Sequence, residues 1–277
     1  MTRQKVIITG AGGGMGRACA RLFANAHDVV LTDLESQPFD MFVEELRDDG
    51  YSVEAYAGDL SSDIVLAALA DSCDGRPFTL IHTAGIGPSQ GDWRTIMQVD
   101  LIAVEMLLRT IEPRLVPGTV AVLISSMASY MMPLSPEIAS LLADPLQSGF
   151  LDKLTPIIAE IGGQMGPTGE QDLAYVLSKT AVRSIAELRA EAWGANGARI
   201  NSISPGVIMT PMGRRESAIS PVAAAHGDAA ALRRRGTPMD IALAAQFLVS
   251  DAAAYVTGTD LRVDGGSIAV ERMRSGE

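Results

Sequence analysis

Two short runs hold the residues best suited to chemistry: Ser125-Ser126 and Tyr175-Val176-Leu177-Ser178-Lys179. Tyr175 and Lys179 stand one helical turn apart in an apolar-periodic stretch, so both side chains leave one face of a helix. A phenol has a reference pKa of about 10 and is a weak acid or base at neutral pH. An ammonium fixed beside it favours the phenolate and draws that value towards working pH. A serine hydroxyl at the end of a separate strand can then hold the oxygen that gains or loses the proton. This is apparatus for interconverting an alcohol and a carbonyl. Tyr-x-x-x-Lys alone is common by chance in amphipathic helices, so the elements that position it must decide.

The N-terminal run supplies the first of them. Lys5-Val6-Ile7-Ile8-Thr9 reads as a strand, Gly10-Ala11-Gly12-Gly13-Gly14-Met15-Gly16 as a glycine-rich turn, and Arg17 to Ala26 as a helix. This is the first βα unit of a dinucleotide-binding fold. Pyrophosphate must approach the backbone closely, which a Cβ would forbid, and the N–H groups at the helix start bind the anion. Thr9, Gly10, Gly14 and Gly16 satisfy Thr-Gly-x-x-x-Gly-x-Gly, while Gly10, Gly13 and Gly16 also satisfy Gly-x-x-Gly-x-x-Gly. Spacing leaves both open. A second strand, 28–32, ends at Asp33, whose carboxylate suits a ribose 2′-hydroxyl and would repel a 2′-phosphate. No Arg or Lys lies within the glycine turn or directly after Asp33. The expected cofactor is therefore NAD.

The whole chain has the length of one large α/β domain: 277 residues, 47% hydrophobic and 20% charged. A formal charge of −11 argues against nucleic acid and against an anionic membrane as partner. Cys19 and Cys73 form no metal-ligand spacing, so no metal is expected, and they suit reduced thiols of a cytoplasmic protein. The chain enters a strand within a few residues of Met1, which predicts no signal peptide, and no apolar run reaches membrane-spanning length. Strands are expected at 4–9, 28–32, 52–57, 78–82, 119–125, 198–203 and 260–263. Helices are expected near 14–26, 38–49, 62–71, 92–112, 171–194 and 239–250. The alternation predicts a single-domain α/β protein, a Rossmann-type doubly wound parallel sheet of seven strands with helices on both faces. Two segments interrupt it. The 131–168 stretch should hold one or two short helices, and 211–235 leaves the carboxyl edge of the sheet where a substrate lid would lie.

Taken in order, the glycine turn, Ser125-Ser126 and Tyr-x-x-x-Lys resemble the short-chain dehydrogenase/reductase family, and further matches run along nearly the whole chain. They are Gly58-Asp59-Leu60, Thr83-Ala84-Gly85, Arg199 to Thr210, and Tyr255-Val256-Thr257-Gly258 followed by Val263-Asp264-Gly265-Gly266. The resemblance implies Tyr175 as general acid–base, Ser126 as the group orienting the substrate oxygen, and Lys179 as the ribose ligand that lowers the Tyr175 pKa. It implies a cofactor site from Gly10, Gly14, Met15, Gly16, Asp33, Leu34, Thr83, Ala84, Gly85, Pro205 and Gly206. Asp59 and Leu60 would meet the adenine, and the Ile208 backbone and Thr210 side chain the carboxamide.

Some positions depart from the family pattern. Val99-Asp100-Leu101 stands where the family has Val-Asn-Leu, whose Asn completes a proton relay through its backbone carbonyl. Asp100 can supply the same carbonyl, and the alternative is an ionised carboxylate beside Lys179. His82 replaces an Asn and is expected to be packed or on the adenine side; His27 and His226 are assigned no chemistry. The long 131–168 insertion, with Gly169-Glu170-Gln171 and Ala192-Trp193-Gly194, is similar to the bacterial 3α-hydroxysteroid dehydrogenase/carbonyl reductase subgroup. That implies NAD-dependent interconversion of a secondary alcohol and a ketone, on a small-molecule steroid or similar apolar carbonyl. Met127, Met209 and Met212 are candidates to line its pocket. The alternatives are an aromatic primary-alcohol dehydrogenase of coniferyl-alcohol type and a non-catalytic NAD-binding regulator. A homodimer through 239–270 is expected, with a tetramer possible should the insertion fold aside.

Overall fold

The computed structural model describes residues 3–276, with Val222, Ala223 and Asp228 by backbone alone. Apolar, β-branched runs form strands β1 (Lys5–Thr9), β2 (Asp28–Asp33), β3 (Val53–Ala57), β4 (Phe78–His82), β5 (Val120–Ile124), β6 (Arg199–Pro205) and β7 (Asp260–Val263). They make one parallel sheet in the order β3-β2-β1-β4-β5-β6-β7. Every residue of β4 and β5 is buried, so these strands read as continuous apolar runs rather than alternating ones. The seven strands and their parallel pairing are as expected.

The helices, in chain order, are α1 (Gly14–Ala24), α2 (Gln37–Asp48), α3 (Asp63–Asp71), α4 (Trp93–Met97), α5 (Ala103–Ile111), α6 (Pro136–Leu142), α7 (Phe150–Ile157), α8 (Gly169–Ala195), α9 (Pro211–Ile219), α10 (Pro221–Asp228), α11 (Pro238–Val249) and α12 (Ser267–Ser275). One core packs α1, α2 and α11 on one face of the sheet; the other packs α3, α4, α5 and α8 on the opposite face. The strand order reverses between β1 and β4, which opens a crevice at their carboxyl ends, the place where such sheets take ligands.

Three features of these elements stand out, two as departures and one, the pair of short helices in 131–168, as expected. The helix expected over 92–112 is broken into α4, a π-helical turn at Gln98–Ile102 and α5. Such a turn inserts one extra residue and re-aims the side chains within it. The insertion folds as α6 and α7, with Leu142, Phe150, Leu154 and Ile158 buried in the same core as Leu173 and Leu177 of α8. Arg94–Asp152 at 3.5 Å and Arg109–Asp144 at 3.0 Å tie it to α4 and α5. The third is α12, for which no helix was expected. Cys19 and Cys73 are free and buried. Among the described residues no helix is long and apolar enough to cross a membrane.

Candidate active site

The crevice between β1 and β4 is a cleft of about 420 Å³. Its floor is the glycine turn, which contributes Gly10, Gly14, Met15 and Gly16. Gly10 has φ +66°, and a Cβ there would lie 2.6 Å from the Ala84 backbone. A Cβ on Gly16 would strike the Gly10 carbonyl oxygen. Side chains would fill this cradle, so the turn fits a ligand that needs the bare backbone. The ends of β2 and β3 add Asp33, Leu34, Asp59 and Leu60, and Thr83, Ala84, Gly85, Thr210 and Met212 complete the lining. Asp33 Oδ2 accepts from Gly12 N at 2.7 Å and Oδ1 from Leu34 N at 2.7 Å, which fixes the carboxylate at the ribose end of such a site. Asp59 is held in a turn by Ser61 N and Oγ at 2.7 and 2.8 Å. These residues fit a nicotinamide dinucleotide.

Several expected positions fall elsewhere. Pro205 ends β6, and Gly206 and Ile208 border a separate hollow beside Gly236 and Asp264. The Thr210 hydroxyl accepts from Gly213 N at 2.9 Å and caps α9. Met127 is buried in the turn after Ser126, Met209 is half-exposed, and of the three methionines only Met212 reaches the cleft.

Behind the cleft stand the groups of the opening motifs. Ser125 Oγ donates to the Lys179 carbonyl at 2.7 Å and so ties β5 to α8. Ser126, extended and one residue further on, caps the next turn by accepting from Ala128 N at 3.2 Å, and its hydroxyl acts on the Tyr175 phenol, lowering its pKa. The two serines thus divide: one braces the helix, the other faces the phenol. Lys179 Nζ lies 5.7 Å from the Tyr175 ring centre. It also approaches the cleft wall, where a Cβ on Gly85 would come within 2.8 Å of it.

Residues 4–136 match the family model described as short chain dehydrogenase, and residues 157–267 match a second described as Enoyl-(Acyl carrier protein) reductase. The unmatched stretch between them falls on α6 and α7. The chain is 30% identical to a short-chain dehydrogenase/reductase, bsc3, of Alternaria brassicicola, over 97% of each chain. The protein belongs to the short-chain dehydrogenase/reductase family. It is also 30% identical to the 3-alpha-hydroxysteroid dehydrogenase/carbonyl reductase of Comamonas testosteroni, over 96% of this chain and 97% of that one. The crystal structure of the 3-alpha-hydroxysteroid dehydrogenase from Pseudomonas sp. B-0831, complexed with NADH, superposes with a TM-score of 0.72. That match is 27% identical and covers 98% of this chain and 99% of that one. The family consists of oxidoreductases acting on alcohols and carbonyls, and this chain is one of its enzymes.

In this dehydrogenase the Asp100 side chain points inward, as the alternative reading had it: Oδ2 lies 3.1 Å from Lys179 Nζ, with both groups almost wholly buried. Oδ1 accepts from Ile86 N at 2.8 Å. Asp100 sits at the middle of the π-helical turn, which accounts for an orientation that regular helical spacing hides. Burial pushes the Asp100 carboxyl up while Lys179 opposes it. Burial works against the Lys179 charge, but Asp100 and Tyr175 outweigh it, so its pKa is raised and the ammonium persists.

The Tyr175 expectation is corrected. Burial raises its pKa above the ordinary phenol value; Lys179 and the Ser126 hydrogen bond lower it, and Asp100 and Glu216 raise it again. Lys179 does pull in the expected direction, but Asp100 opposes it.

Two further residues border the site. His82 is packed, as expected: Nδ1 lies 2.8 Å from Thr9 Oγ1, and burial, aided by Lys179, holds the imidazole down to about 3, hence neutral. Arg17 was not singled out by the sequence reading. Its guanidinium bonds Gly12 O at 2.9 Å and Pro38 O at 2.6 Å and stacks 4.8 Å above Phe42, bracing the glycine turn against α2. Its place directly after Gly16 was the available signal.

Proposed function

We propose that the protein is an NAD-dependent dehydrogenase interconverting a secondary alcohol and a ketone, with a neutral, largely apolar substrate of the hydroxysteroid kind. The observation that carries this reading is the meeting of Ser126, Tyr175 and Lys179 at the wall of a dinucleotide-type cleft. The nicotinamide, when bound, supplies or accepts the hydride. Ser126 would hold the substrate oxygen, and Tyr175 Oη would take its proton in oxidation and return it in reduction. Lys179 favours the phenolate needed for the first of these. The carboxylate of Asp33 supports NAD over NADP, because a 2′-phosphate would meet a like charge. The steroid-like substrate class rests on the two relatives named for that activity and on the insertion shared in outline with their subgroup.

The test is reduced-cofactor absorbance with a panel of steroidal, aromatic and small aliphatic alcohols. Wild type should oxidise secondary alcohols, and Tyr175→Phe should lose turnover while dinucleotide binding, read by calorimetry, persists. Substantial activity in Tyr175→Phe would remove the phenol from the reaction.

A further inference from the structure

Helix α9 and the loop after β4 meet beside the dinucleotide cleft. Met212 of α9 lines the dinucleotide cleft, and Glu216 stands one turn further along the same face of that helix. Glu216 Oε1 accepts from Ser89 Oγ at 2.5 Å and from Ser89 N at 3.2 Å, which closes α9 onto the turn Pro88–Gln90. That turn packs against α8, the helix that carries Tyr175. Gly87 leaves the space this needs, since a Cβ there would lie 2.5 Å from Glu216 Oε1. No ion pair to Glu216 forms among the described residues, and its Oε2 has no hydrogen-bond partner among them. The adjoining Ser217 Oγ is buried and equally without a partner among the described residues. The lid helix therefore carries, one turn from the cleft-lining Met212, a carboxylate with a free acceptor, and the Tyr175 phenol feels the Glu216 charge.

We infer that Glu216 is a specificity-determining residue of the substrate cleft. It admits neutral carbonyl compounds, favours those with a hydroxyl or ammonium donor near the reacting carbon, and excludes those with a carboxylate or phosphate there. This rests on the oxidoreductase reading above. An anion brought beside Glu216 meets a like charge, which costs binding. Ser89 holds the carboxylate but does not neutralise it.

The test compares kcat/KM for ethyl 4-oxopentanoate and for 4-oxopentanoate in wild type, Glu216→Gln, Ser89→Ala and Glu216→Lys. Wild type should prefer the ester by about tenfold or more. Glu216→Gln keeps the shape and the acceptor to Ser89, and should narrow the ratio by at least about fivefold. Ser89→Ala retains the charge and should retain the preference. Glu216→Lys should invert it, which keeps the test decisive should the Gln variant fold poorly. An unchanged ratio in folded Glu216 variants overturns the inference alone, as does an equal loss of preference in Ser89→Ala, which would assign the effect to lid closure. No turnover of any ketone or alcohol by wild type overturns the oxidoreductase reading and this inference with it.

Discussion

Replacing Asp100 with Asn tests the electrostatics of the site directly. Lys179 Nζ lies 5.7 Å from the Tyr175 ring centre, where a unit charge at an effective dielectric near 20 favours the phenolate by about 3 kcal/mol. Asp100 Oδ2 lies 3.1 Å beyond that ammonium, hence no more than about 9 Å from the ring, and opposes it by about 2 kcal/mol. Asp100 therefore cancels roughly two-thirds of the assistance Lys179 gives. Asn can still accept from Ile86 N while removing the charge, so the variant should favour the phenolate by about 2 kcal/mol, roughly thirtyfold in its population. In alcohol oxidation the phenolate is the base, and the rate falls as pH drops through the Tyr175 titration. Favouring the phenolate moves that fall to lower pH. Stability should move the other way, because Lys179 stays buried without its partner, at a cost of order 3 kcal/mol. The assay is kcat/KM against pH for the best alcohol, with a thermal melt on the same samples. A folded Asp100→Asn enzyme whose acid limb stays put, or moves to higher pH, would refute the reasoning.

Three further outcomes are expected. Wild type should prefer NAD over NADP by at least about tenfold, and Asp33→Ala should narrow that preference; equal use of both by wild type would remove Asp33 from the selection. His82, neutral in the fold with a pKa near 3 but titrating near 6.5 when unfolded, binds fewer protons folded than unfolded between those values. Stability should be full above the unfolded value and fall with pH below it, by about 3 kcal/mol near pH 4.5. His82→Asn should flatten this fall in urea titrations at the two pH values, and an identical slope in the variant would exclude the imidazole as its source. A homodimer through 239–270 is expected because α6 and α7 occupy the outer face of α4, α5 and α8, while Leu243 and Phe247 on α11 are half-exposed. Light scattering with Leu243→Glu should convert dimer to monomer, and a wild-type monomer would refute it.

What the sequence made legible was what local chemistry dictates. The strands could be read because buried parallel strands are unbroken apolar runs bounded by turns, and β4 and β5 are buried throughout. The glycine turn could be read because backbone approach forces residue type, as at Gly10. Tyr175 and Lys179 could be paired because one helical turn fixes their common face. The features that escaped depend on where segments distant in the chain meet. Regular 3.6-residue spacing carries no mark of the extra residue in the π-helical turn, so Val99-Asp100-Leu101 left the inward carboxylate as one of two readings. Glu216 and Ser89 lie 127 residues apart and meet only because β4 and β6 both end at the carboxyl edge of one sheet.

These two carboxylates act on one phenol. Lys179 favours the phenolate, and Asp100 and Glu216 both oppose it. Burial adds to that opposition, which leaves the free enzyme with a phenol that holds its proton. Oxidation draws on whatever relieves one of the two carboxylates. Glu216 is held by Ser89, whereas Asp100 is fixed by Ile86 and Lys179. The acid limb for oxidation should therefore respond to Asp100→Asn and to Glu216→Gln, each shifting it to lower pH. Because the two residues share no hydrogen bond or ion pair among the described residues, the shifts should add in the double variant.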